Sequence, residues 1–246
     1  MIEVVDLIKE YEGTPAVQGL SFTVQPGEVL GLVGPNGAGK TTTMRCITGI
    51  LQPTGGGVRV AGADIVRDPV EAKRHLAFIP DDPQLFDYLT IREHLLFFGR
   101  VFNVPDVADQ SARLLEELEL TGKEDMLPGQ ISRGMKQKVA IACGLIHRPK
   151  AVLFDEPLTG LDPVAIRRIK QTIRQLAADG SAVIISSHLL GLVEEIATSL
   201  LLLQNGKKVL HGTIAEVRAS IPDLQGGNLE SIFLRATGYD QPEASS

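Results

Sequence analysis

Gly34-Pro35-Asn36-Gly37-Ala38-Gly39-Lys40-Thr41 decides how this chain is read. Two glycines separated by four residues, then Lys and Thr, form the pattern of a phosphate-cradling loop. Glycines let successive backbone N–H groups turn toward one anion, and a helix starting near Gly39 adds the positive end of its dipole. Lys40 can reach terminal phosphates, the Thr41 hydroxyl can ligate Mg²⁺, and Thr42 follows them into the same first turn. A chance match in such a chain is on the order of one per cent. The context lowers that further, because VLGLV at 29–33 is a continuous apolar strand and a helix is expected to run on to about Ile50. The stretch Gln52-Pro53-Thr54-Gly55-Gly56-Gly57 is expected to stop it.

Working outward, 2–8 and 17–24 alternate apolar with polar residues and are broken by Gly13-Thr14-Pro15 and Pro26-Gly27, which predicts antiparallel strands. Short apolar runs follow at 58–60 and 75–79. From about 81 to 150 the periodicity turns helical, with Leu95, Leu96, Phe98 and Phe102, then Leu114, Leu115, Leu118 and Leu120. Beyond it, AVLFD at 151–155 and SAVIIS at 181–186 are buried strands. The helix between them places Ile166, Ile169, Ile173 and Leu176 on one face. Asp162 and Pro163 suit its N-cap and first position. The fold class is therefore α/β: a parallel sheet flanked by helices around the phosphate loop, an N-terminal antiparallel β subdomain, and an inserted helical subdomain at about 81–150. The main domain, built around the phosphate loop, is expected to span 1–220 and a tail 221–246, with only the last few residues disordered.

The chain has 246 residues, 43% hydrophobic and 22% charged, so a sizeable buried core is expected. Its net charge is -6 and it has no long Lys/Arg cluster, which disfavours a nucleic-acid partner. Cys46 and Cys143 lie in apolar helical stretches and read as buried thiols of a reducing compartment. The N-terminus lacks the pattern of a secretory signal. No run approaches the roughly 18 apolar residues that span a bilayer, the longest being of the LLLL kind at 200–203. Any membrane role must come through a partner.

A second station stands at Asp155, the last residue of AVLFD, followed at once by Glu156. A carboxylate there can hold Mg²⁺, while the next orients or deprotonates an attacking water. Together with the loop they make a hydrolytic site of the P-loop type.

With these parts in order, the chain resembles the nucleotide-binding subunits of ATP-binding cassette transporters, particularly single-cassette subunits of exporters. The resemblance covers roughly 1–220. Its most specific element is ISRGMKQK at 131–138, which is similar to the signature motif LSGGQ; Ser132 and Gly134 match, whereas Ile131, Arg133 and Met135 depart. Ser132 is also a good N-cap, so hydroxyl, N–H groups and dipole favour a bound phosphate. The resemblance makes Thr159-Gly160-Leu161-Asp162 a D-loop, puts His188 where a switch histidine contacts the γ-phosphate, and puts Tyr11 where an aromatic stacks on adenine. Where the family usually has Gln facing Mg²⁺, this chain has Asp81, an acceptor that can still face the metal. The other histidines, His75, His94, His147 and His211, get no functional reading.

The resemblance implies ATP and Mg²⁺ as cofactors and a second cassette, in a homodimer or heterodimer, with each ATP shared between one chain's loop and the other's signature. It also implies integral membrane partner subunits and a place on the cytoplasmic face of a membrane. The stretch 85–102 is the candidate docking surface, with internal packing as the other reading, and exposed apolar area decides between them. A soluble cassette acting on nucleic acid or ribosomes is the alternative, disfavoured because only a compact helical segment separates loop from signature. A small kinase or GTPase is disfavoured by the ordered set Ser132, Asp155, Glu156, Asp162 and His188.

Overall fold

The computed structural model describes residues 1–220 and 229–237. The alternating N-terminal stretches form β1 (Ile2–Tyr11) and β2 (Thr14–Val24), paired antiparallel. Their turn, Glu12-Gly13, has both residues at positive φ, matching the right-handed twist of a tight hairpin. Within β1 the register shifts between Val4 and Leu7, with Asp6 at φ 47, and this bulge keeps Ile2, Val4 and Leu7 all buried. β4 (Gly55–Val60) and β5 (Ala63–Asp64) complete a four-stranded sheet in the order β2-β1-β4-β5.

Helix α1 (Lys40–Ile47) stops before the expected Ile50. Gly49, at φ 66, donates its N–H to the Cys46 carbonyl while the Ile50 N–H reaches Arg45, a left-handed termination that satisfies the last carbonyls. The glycines at 55–57, expected to break the helix, are instead part of β4.

The central sheet has six strands in the order β10-β9-β3-β8-β7-β6. They are β3 (Val29–Val33), β6 (Leu76–Ile79), β7 (Ala151–Asp155), β8 (Ala182–Ser186), β9 (Ser199–Gln204) and β10 (Lys207–Thr213). All pairings are parallel except β9 with β10, a hairpin turning at Asn205-Gly206. Apolar runs such as VLGLV, AVLFD and AVIIS are buried on both faces. Leu30, Leu32, Leu153 and Ile184 pack toward Met44, Cys46 and Ile47 of α1 and the antiparallel sheet. On the other face Val152, Phe154, Val183 and Ile185 meet helices α5 (Arg133–Leu145) and α6 (Pro163–Ala178) through Val139, Ile141, Ile169 and Ile173.

The helical insertion consists of α3 (Ile91–Val101), α4 (Val107–Glu117) and α5. Its first stretch, 80–90, is not helical, because Pro80 and Pro83 interrupt it and Thr90 begins α3 through a reciprocal cap with Glu93. Helix α2 (Pro69–Arg74) was not foreseen; it is too short to show a period. Helices α7 (Leu190–Ile196) and α8 (Ile214–Ala219) flank β9 and β10. Within the stretch read as a tail, α9 (Leu229–Thr237) buries Leu229 and Ile232 against Val33, Val193 and Val217. Pro222, Gly226-Gly227 and the polar end lie outside the described residues, as does the expectation of disorder there.

Ser186 pairs in register with both Leu32 and Asp155. The carboxyl ends of β3, β8 and β7 therefore lie level at one edge, where ligands of parallel α/β sheets bind. Phe154, fully buried between these layers, tests the packing. Phe154→Ala is expected to cost about 3–5 kcal/mol of stability, measured by urea unfolding.

Candidate functional site

The phosphate loop begins as the chain leaves β3. Gly34 sits where a Cβ would come within 2.3 Å of the Leu203 carbonyl oxygen, and Gly39, at φ 100, where one would come within 2.5 Å of the Ala16 carbonyl oxygen. Both clashes are with backbone, so neither position accepts another residue. Gly39 occupies the N-cap position of α1 without a side-chain cap, which leaves first-turn N–H groups for an anion. Lys40 is 8% exposed, and its Nζ donates to the carbonyls of Gly34 at 2.8 Å and Pro35 at 3.2 Å. Burial lowers its pKa, while Glu156 and Asp155 nearby pull it back up. The ammonium is thus folded over its own loop.

Asp155, buried at the end of β7, accepts hydrogen bonds from the Thr41 hydroxyl at 3.4 Å and from the Ser186 hydroxyl. Ser186 also accepts the Glu156 N–H at 3.0 Å. Sequence reasoning missed Ser186; its signal was a hydroxyl closing an apolar strand, which becomes informative only once the strand pairing is known. Glu156 has φ 49, a left-handed backbone uncommon for its type and of the kind that gathers at functional sites. That turn points its carboxylate at His188, whose Nδ1 lies 2.8 Å from Oε2. The Leu189 N–H donates to Ser187 Oγ at 3.0 Å and fixes the backbone beside His188. The hydroxyl and carboxylate oxygens of Thr41 and Asp155 converge as hard donors, a set that suits Mg²⁺ completed by phosphate oxygens and water.

Other residues singled out in the sequence form a second cluster. Ser132 caps α5 by accepting the Met135 N–H, with Gly134 in the first turn, and Asp162 caps α6 by accepting the N–H groups of Val164 and Ala165 at 2.9 Å. Arg133 Nη2 lies 3.1 Å from the Asp81 carboxylate. The residue expected beside a metal is thus engaged by a guanidinium. Among the described residues, no hydrogen bond or ion pair joins Asp81, Ser132, Arg133 or Asp162 to 34–42. Tyr11 is 45% exposed, with the Lys9 ammonium 5.3 Å from its ring centroid. Cys46 and Cys143 are free and buried, and burial raises their pKa to about 11 and about 12, so both thiols are inert.

The family profile described as ABC transporter matches residues 17–159. The ABC-type transporter ATP-binding protein EcsA of Bacillus subtilis is 32% identical, over 98% of each chain. The chain belongs to the ABC transporter family. It is an ATP hydrolase of that family's nucleotide-binding kind. The Nod factor export ATP-binding protein I of Paraburkholderia xenovorans is 37% identical over 86% of this cassette and 70% of that protein. Among solved structures, an ATP-binding subunit of an ABC transporter superposes with a TM-score of 0.91 at 32% identity, covering 96% of this chain and 99% of that one. A dimeric post-hydrolysis cassette bound to ADP and Pi shares the fold, at a TM-score of 0.79 and 23% identity over 87% of this chain and 99% of that one.

Among the other concavities of the described residues is a groove of about 210 Å³ walled by Phe78, Pro83, Phe86, Phe98, Phe102 and Cys143. The stretch 85–102 divides there. Ile91 and Leu95 are core, whereas Phe86, Tyr88, Phe97 and Val101 are exposed. His94 ties the lip down: its Nδ1 faces the Thr90 carbonyl, which can only accept, so Nε2 is left to accept the Phe86 N–H. His147 stacks on Phe102 with centroids 3.8 Å apart, and burial lowers its pKa to about 4. Between pH 6.5 and about 4 the unfolded chain takes up a proton at His147 that the folded chain refuses, so stability falls as pH falls through that window. His147→Phe is expected to flatten this slope in urea melts run from pH 7 to 4.

Proposed function

We propose that this cassette energises export by integral membrane partner subunits, and that ATP is hydrolysed between two cassettes. The observation that carries the hydrolytic part is the Glu156–His188 pair, 2.8 Å apart at the edge that also holds Lys40, Thr41 and Asp155. In this reading the loop N–H groups of 34–42 and Lys40 take the terminal phosphates, with Lys40 exchanging its carbonyl contacts for phosphate oxygens. Mg²⁺ held by Thr41 and Asp155 would offset charge on those oxygens. Glu156 accepts a proton from water as the water oxygen bonds to the γ-phosphorus and the bond to the β–γ bridging oxygen breaks. His188 keeps the Glu156 carboxylate in place and faces the departing phosphate. The exposed face of Tyr11 supports stacking on adenine.

The separate cluster of Ser132, Arg133, Gly134 and Asp162 supports a second chain as the partner that completes the site. Its helix N-terminus carries no acidic first-turn residue, so it favours an anion brought from outside. The aromatic groove beside Phe86 and Phe102 supports a membrane subunit as the docking partner, because exposed apolar patches of this kind mark interaction sites. No helix among the described residues is long and apolar enough to cross a membrane; a peripheral place on the cytoplasmic face of a membrane is part of the proposal. The similarity to a Nod factor export ATP-binding protein supports export as the direction.

Glu156→Gln is expected to lower hydrolysis roughly 10²- to 10⁴-fold and to form an ATP-dependent dimer on a sizing column. Retained turnover would remove Glu156 as the base, and a monomer at high protein and ATP concentration would remove the shared site. Purification from gently solubilised membranes is expected to bring down an integral membrane subunit. Recovery with ribosomes or nucleic acid instead would overturn the transport reading.

A further inference from the structure

We propose that Asp81 is the positioning residue of Arg133, holding its guanidinium in the orientation from which it meets ATP carried by a second copy of the chain. The proposal rests on the two-chain reading above. Three segments meet at this one side chain. Arg133 is the first residue of α5, Asp81 lies in the loop after β6, and Gly160 lies between β7 and α6. The Asp81 carboxylate is 3.1 Å from Nη2. On the other side, a Cβ built on Gly160 would come within 3.3 Å of Nη1, so the guanidinium lies close against bare backbone.

Arg133 does nothing for the helix it begins. A cation in the first turn opposes the positive end of the dipole, and no acidic residue of that turn offsets it. Arg133 therefore adds to a positive helix end that already favours an anion. The pair is half-exposed on both sides and engages the guanidinium through Nη2, so Asp81 can stay in place while other N–H groups of the guanidinium meet phosphate. Its effect is pre-organisation: a guanidinium already held in one orientation loses less freedom when it binds phosphate. One turn along, Gln137 Nε2 donates to the Pro80 carbonyl at 3.4 Å, so the same loop sets both the helix and its leading side chain.

The test is a double-mutant cycle on the full chain with Asp81→Asn, Arg133→Gln and the double variant, read as ATPase rate against ATP concentration. Asp81→Asn is expected to raise the ATP concentration for half-maximal rate about 2- to 5-fold. If Asp81 works only through Arg133, the double variant matches Arg133→Gln, whereas independent roles would multiply. Asp81→Glu is expected to recover most of the loss, with Mg²⁺ demand unchanged in Asp81→Asn. Multiplying effects, or a raised Mg²⁺ requirement in Asp81→Asn, would overturn the proposal in favour of a metal role. A Glu156→Gln chain that fails to pair removes the two-chain reading itself. If it pairs, and adding Asp81→Asn leaves the ATP needed for pairing unchanged, only the present inference falls.

Discussion

The shared register of β3, β8 and β7 is the constraint on which the rest of the molecule depends. Because Ser186 is level with both Leu32 and Asp155, the three strands release their chains at one edge. The phosphate loop, the paired carboxylates and the histidine segment then occupy neighbouring positions without any long reach. Burial on both faces enforces that register. A slip of one residue would turn Phe154 and Ile185 toward the α1 side and send their neighbours the other way, exchanging every contact with the helices.

That arrangement places opposite charges where water is scarce. Lys40 and Asp155 are both nearly buried, which is costly for isolated ions. Each is held by partners, Lys40 by two loop carbonyls and Asp155 by two hydroxyls. Carbonyls are weaker partners for an ammonium than an anion is, so Lys40 would gain from the exchange for phosphate proposed above. The left-handed backbone of Glu156, held by Ser186, belongs to the same logic: local strain fixes a carboxylate against His188 instead of letting it join Asp155.

The aromatic groove and the end of α5 are connected through the loop that follows β6. Pro83 and Phe86 wall the groove, while Pro80 and Asp81 in the same loop touch Gln137 and Arg133 of α5. A protein seated in the groove would press on the segment that orients the helix end, by direct contact between adjacent residues.

Local pattern made much of this legible in the sequence. The phosphate loop, Asp155 and Glu156 at the end of AVLFD, and the caps Ser132 and Asp162 could be read directly, because hydrogen bonding and hydrophobic period act over only a few residues. The limits of α1 and β4 were misread, since Gly49 ends the helix through backbone conformation and the glycines at 55–57 are carried by pairing with β1. Ser186 could not be assigned before strand register put it beside Asp155. Asp81 and Arg133, far apart in the chain, could be noted one by one as unusual; their meeting depended on how α5 packs against β6. The local shape of the proposed phosphate site, its loop, strand ends and helix caps, was thus determined by sequence, whereas the partner of each charged group was decided by tertiary structure. Neighbouring residues set a turn or a cap, but only packing brings distant charges within a few ångströms.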